Sequence, residues 1–138
     1  MKLGDVLFEY GKKYGETLSK NDLGITTLRV NDEFIISFEE SLDQRFIFIY
    51  SIVQVIPKGK EGEDLLVSAL EGNLFGNETG KATFGYDPHT KSLVLFLRLE
   101  NETFNLKTLE SEIEGFIAYL AYWKAKIIEL RRKEPSLK

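Results

Sequence analysis

Leu3, Val6, Leu7, Tyr10, Tyr14 and Leu18 recur every three or four residues, a spacing that predicts an opening helix with one apolar stripe. Gly11 and Gly15 fall inside that stripe, each costing about 1 kcal/mol relative to alanine, so docking rather than propensity must hold the helix. Asn21-Asp22 and Gly24 supply its stop. Three strands are predicted next. Ile25–Val30 meets Glu33–Glu39 across Asn31-Asp32, a two-residue turn that tolerates positive φ. In the second strand Phe34, Ile36 and Phe38 share one face, and Ile35 and Ser37 the other. The third, Arg45–Val55, contains Phe46-Ile47-Phe48-Ile49-Tyr50 and is apolar on both faces, so it needs cover on both.

After Pro57-Lys58-Gly59-Lys60 a helix runs from Glu61, with Leu65, Leu66, Ala69 and Leu70 inward and Gly72 or Asn73 as its end. A Gly-rich turn carrying Leu74-Phe75 follows. Two large apolar residues in a polar turn mark a place where a partner covers them. Ala82, Phe84 and Tyr86 alternate along a fourth strand, and Leu93, Leu95, Leu97 and Leu99 along a fifth, joined at Asp87-Pro88-His89-Thr90. Asn105 or Thr108 caps the last helix. Its stripe runs Leu109, Ile113, Phe116, Leu120, Trp123, Ile127 and Leu130, widened by Ile117, Ala121 and Ile128; Pro135 ends it, before a frayed Ser136-Leu137-Lys138. The prediction is one α+β domain over residues 1–138: a twisted antiparallel five-stranded sheet and three helices, ordered helix, three strands, helix, two strands, helix.

Composition narrows the function. Net charge is −4, which repels a phosphate backbone; the bases gather only in Lys124–Lys133, where cations suit a helix C-terminus. Nucleic acid is therefore not an expected partner. Cysteine is absent and histidine single, which excludes disulfides, thiolate chemistry and Cys- or His-rich metal sites. No cofactor or metal is expected. The first residues reach Asp5 before any apolar run, and no run approaches the ~18 residues of a membrane span, so a soluble cytoplasmic protein is expected.

Candidate chemistry is thin. Gly76-Asn77-Glu78-Thr79-Gly80-Lys81 has three residues between its glycines, Ala82 after the lysine and no following helix, so it fails as a phosphate loop and reads as a turn. His89 reads as a solvated turn residue. The carboxylates Glu39/Glu40, Glu61/Glu63/Asp64 and Glu110/Glu112/Glu114 sit at element ends, and acid–base work would need tertiary structure to pair them. Tyr10, Tyr14, Phe46, Phe48 and Phe96 divide between core and docking surface, since a small sandwich cannot bury both faces of every strand. No enzyme is expected.

Between Leu65 and Leu97 the chain resembles the class I type III secretion chaperones, the Tir chaperone family. The matching pieces are Leu65-Leu66, Ala69-Leu70, Asn73-Leu74-Phe75-Gly76, Thr79-Gly80, Ala82, Gly85-x-Asp87 and Leu93-x-Leu95. Each is weak alone; their order and spacing are specific. Lys81 departs from a usual second glycine and Tyr86 from a common leucine. The first fifty residues match in pattern only. The resemblance implies a non-enzymatic bacterial chaperone, a homodimer that binds a segment near the N-terminus of a secreted effector in extended form, with secretion-apparatus components as further possible partners. It places a dimer contact on Leu65, Leu66, Ala69, Leu70, Leu74, Phe75 and Phe84. It places client grooves on Leu3, Val6, Leu7 and Tyr10, on Phe34, Ile36, Phe46 and Phe48, and on Val94 and Phe96. Two alternatives stay open: a subunit of a heterodimeric chaperone or a regulator with the same fold, and a small-molecule-binding α+β domain, whose sign would be an enclosed polar pocket.

Overall fold

A computed structural model describes residues 2–133. Helix α1 (Leu3–Tyr14) leads into strands β1 (Leu18–Lys20), β2 (Thr26–Val30), β3 (Phe34–Glu40) and β4 (Phe46–Val55). Helix α2 (Lys60–Asn73) ends in a single 3-10 turn, Leu74–Gly76, before β5 (Thr83–Asp87), β6 (Ser92–Glu100) and the long α3 (Leu106–Lys133). The strands form one antiparallel sheet in the order β1-β2-β3-β4-β6-β5. The fold class is the expected α+β. The predicted end of α3 at Pro135 and the tail Ser136-Leu137-Lys138 lie outside the described residues.

The sheet has six strands, where alternation along the chain shows five. Leu18 belongs to the extra edge strand rather than to the stripe of α1. Gly15 stops the helix: it takes the left-handed conformation (φ 65°), and its N–H donates to the Gly11 carbonyl. The chain then folds back so that the Leu18 side chain lies over Gly11, where an added β-carbon would stand 3.0 Å from it. Three residues are too few for a period-two pattern to register.

The Asn31-Asp32 turn has positive φ at both residues (54° and 55°), and the Glu33 N–H donates to the Val30 carbonyl. Pairing resumes one residue later than a bare two-residue hairpin allows, with Val30 opposite Phe34. The longest pairing, β4 with β6, runs from Phe46 opposite Glu100 to Val55 opposite Ser92, with a bulge between Ile52 and Gln54. At the start of α3, the Asn105 carboxamide oxygen accepts the Thr108 N–H at 2.9 Å, an N-cap.

The core lies on one side of the sheet. Phe34, Ile36 and Phe38, Ile47 and Ile49, and Leu93, Leu95 and Leu97 point into it. Helices α1 and α3 cover that face: Leu3, Val6, Leu7 and Tyr10 come from α1, and Leu109, Ile113, Phe116, Leu120, Trp123 and Ile127 from α3. The stripe of α3 is thus as its spacing predicts, except that Ala121 and Ile128 are exposed. Helix α2 sits to one side, against β5 and α3. No helix among the described residues covers the opposite face of the sheet. No helix among the described residues is long and apolar enough to cross a membrane.

Candidate docking surfaces

The segment after α2 is clamped from beneath. Gly72 lies against the indole of Trp123, where an added β-carbon would come within 2.4 Å of the ring. The Trp123 Nε1–H donates to the Glu78 carbonyl at 2.7 Å, and the Glu78 N–H donates to the Gly72 carbonyl at 2.7 Å. The Glu78 carboxylate accepts from Lys126 Nζ at 2.5 Å and from the Tyr122 hydroxyl. These donors, the Lys126 bond first, hold its carboxyl below the usual range. Asn73 fixes the other side: its Oδ1 accepts the Phe84 N–H at 2.8 Å, tying the end of α2 to β5. Gly80, with φ 63°, passes under the ring of Tyr119, and Lys81 reaches Glu112 at 3.0 Å.

What the clamp presents is apolar. Phe75 is 97% exposed and holds φ 56°, ψ 22°, a left-handed conformation that a bulky residue adopts at a cost. Leu74 beside it is exposed, as are Leu70 (69%) and Val67 on the outward side of α2. Leu65, Ala69 and Phe84 belong instead to the chain's own core, and Leu66 is half-buried. The available patch is therefore Val67, Leu70, Leu74 and Phe75. Val67 was legible in principle, since it stands three and seven residues before Leu70 and Leu74 on a helix.

A second surface is the uncovered face of the sheet. Phe46, Phe48 and Tyr50 on β4 and Val94 and Phe96 on β6 are half-buried there, flanked by the more exposed Ile35 and Ile52. Phe96 leans over Gly85 on β5, where a β-carbon would stand 3.3 Å from its ring. Strand alternation sends Phe34 and Ile36 to the covered side, so they are core, as are Leu3, Val6, Leu7 and Tyr10 of α1. The stripe of α1 is consumed by the sheet beneath it.

The polar candidates resolve as local structure. Asp87 accepts the His89 N–H at 2.9 Å and the Thr90 hydroxyl at 2.9 Å, closing the turn between β5 and β6 with His89 exposed. Glu110 accepts from Lys13 Nζ at 2.6 Å and from the Tyr14 hydroxyl, locking the end of α1 to the start of α3. The pocket between Gln54, Pro57, Leu65 and Ile127 has a volume of about 10 Å³, room for no more than a water.

The Asn73-Leu74-Phe75-Gly76 turn between α2 and β5 and the alternating leucines of β6 are residues on which the resemblance rests. Residues 6–124 match the model of the Tir chaperone protein (CesT) family. The chain belongs to that family. Its fold is shared with chains solved in complexes. The ExsC–ExsE complex gives 15% identity and TM-score 0.67, over 91% of this chain and 96% of the other. A Yersinia pestis type III secretion chaperone, SycH, bound to a stable fragment of YscM2, gives 16% and 0.62, over 86% and 97%. The heterodimeric ExoU–SpcU complex from the type III secretion system of Pseudomonas aeruginosa gives 13% and 0.61, over 93% and 96%. No curated protein sequence matches the chain. As a member of the Tir chaperone family it carries a type III secretion chaperone fold, and its family is a family of chaperones.

Proposed function

We propose that this family member is a cytoplasmic type III secretion chaperone that binds a segment near the N-terminus of a cognate secreted effector, keeps it extended and so keeps it fit for secretion. The observation that carries this reading is the uncovered apolar face of β4 and β6. A strand such as Phe46-Ile47-Phe48-Ile49-Tyr50 needs cover on both sides, and the described residues supply cover for one. The complexes among the fold neighbours, ExsC with ExsE and SycH with a YscM2 fragment, support a protein occupant. No catalytic step is part of the proposal.

A homodimer completes it. Val67, Leu70, Leu74 and Phe75 form a second apolar patch, and a twin subunit would bury the patches against each other. Holding Phe75 in a strained backbone while leaving its ring in water makes sense only when the ring has somewhere to go.

Co-purification from the host, with identification of what accompanies the protein, tests the client reading. The expected companion is a secreted protein whose N-terminal segment is protected from protease in the complex. A chain that purifies alone, and whose presence leaves that segment equally sensitive to protease, would overturn it. Mass measurement of the protein expressed alone separates a homodimer from half of a heterodimeric chaperone.

A further inference from the structure

Arg98 stands on the uncovered face of the sheet, opposite Phe48 in the pairing of β4 with β6. Its guanidinium carbon lies 4.4 Å from the centroid of the Phe46 ring. A guanidinium over an aromatic ring spends none of its N–H donors on that contact, and its fork fits a carboxylate. The side chain is therefore positioned before any partner arrives.

No carboxylate of the described residues pairs with it. Elsewhere in this acidic chain the cations near carboxylates are engaged: Lys13 with Glu110, Lys81 with Glu112, Lys126 with Glu78, Arg131 with Glu61. Arg45 also lies beside Phe46, at 5.3 Å, but within the field of Asp43. Glu39, across Phe48 from Arg98, is met by the Tyr50 hydroxyl at 3.4 Å. On β2, separated from β4 by β3, Arg29 stands opposite Ile35, again outside every ion pair among the described residues. The apolar strip thus carries arginines that form no ion pair among the described residues, and Glu100, opposite Phe46 on the strand of Arg98, stands outside every such pair as well, in a protein of net charge −4.

We propose that this face takes a client segment in which carboxylates flank the apolar residues, one of them forked onto Arg98. The inference rests on the client-binding reading above and adds the chemistry that selects the client. Apolar contact with Phe48 and Phe96 supplies adhesion, and the arginine supplies discrimination between segments of equal greasiness.

Two labelled peptides of twenty residues, identical at their leucine and phenylalanine positions and carrying either glutamate or lysine beside them, provide the probe in fluorescence anisotropy. The glutamate peptide should bind about ten-fold more tightly at low salt, with the gap narrowing as salt rises. Arg98→Gln should erase most of the preference and Arg98→Glu should reverse it, while Phe48→Glu should weaken both peptides. Equal binding of the two peptides to the native protein, or a preference that survives Arg98→Glu, overturns the charge assignment and leaves the docking face standing. If neither peptide binds, or if Phe48→Glu binds both as well as the native chain does, the client reading of this face fails and the charge assignment with it.

Discussion

The Trp123 indole rests directly on the backbone of Gly72, close enough that a single added carbon would stand 2.4 Å from the ring. That contact joins the end of α2 to α3 beneath the turn that follows. The indole is held in turn by its bond to the Glu78 carbonyl and by the edge-on ring of Phe84, 4.8 Å away. A side chain so constrained has nowhere to yield.

Gly72→Ala tests this by opposing two effects. Alanine favours a helix by about 1 kcal/mol over glycine. Overpacking against a fixed ring costs about 1–3 kcal/mol. The clash should win, so the melting temperature should fall, and Trp123→Ala should cost more, about 3–5 kcal/mol. A Gly72→Ala protein that melts higher than the native one would show that the indole moves freely.

Phe75 should give opposite signs in two measurements. Its backbone has φ 56°, where glycine is at ease, so Phe75→Gly relieves strain of about 1 kcal/mol or more within one chain. The same change deletes a ring from the patch. In a Leu70→Glu background, which should sediment as a monomer, adding Phe75→Gly should raise the melting temperature. On its own Phe75→Gly should weaken self-association. Sedimentation that finds Leu70→Glu still dimeric would remove α2 from the interface.

Asn73 is a clamp rather than a docking residue. Asn73→Ala leaves the Phe84 amide without its acceptor, a loss of about 1–3 kcal/mol. Hydrogen exchange at that amide should accelerate sharply, while Asn73→Asp, which keeps an acceptor oxygen, should preserve much of the protection. Unchanged exchange in Asn73→Ala would show that the bond is idle.

Acid should loosen the same region. The Glu78 carboxyl is held below its ordinary value of 4.5 by Lys126 and Tyr122, so it binds its proton less readily folded than unfolded. A depressed carboxylate contributes stability that is present above its unfolded value and lost as pH falls through the lower folded one. Trp123 fluorescence should therefore shift at a midpoint below 4.5, and Glu78→Gln should abolish that step. A native protein whose emission stays flat through that range would contradict the linkage.

Much of this architecture was legible in the sequence because period and burial coincide. The stripe from Leu109 to Ile127 is buried throughout, and the alternation of Leu93, Leu95 and Leu97 names the covered face of β6. Period tells that a face is buried, however, and not against what. The stripe of α1 meets the chain's own sheet, so Leu3, Val6, Leu7 and Tyr10 are core, and Phe34 and Ile36 join them while Phe46 and Phe48, equally apolar, do not. The pairing register of β3, β4 and β6 separates the strand residues, with Phe38 opposite Ile49 and Glu39 opposite Phe48. The same register brings Arg98 beside Phe46, residues fifty-two positions apart whose relation no local pattern contains. Leu18 was missed because its strand is shorter than the signal that reveals strands.

The bond from Asn73 to Phe84 reaches beyond local anchoring. Of the two margins of the sheet, β5 has that backbone donor already occupied by a carboxamide from inside the molecule, whereas three-residue β1 lies at the opposite margin. Growth of the ladder by foreign chains is thereby discouraged on one flank, and a protein rich in sticky strands gains a built-in direction that disfavours endless side-by-side stacking.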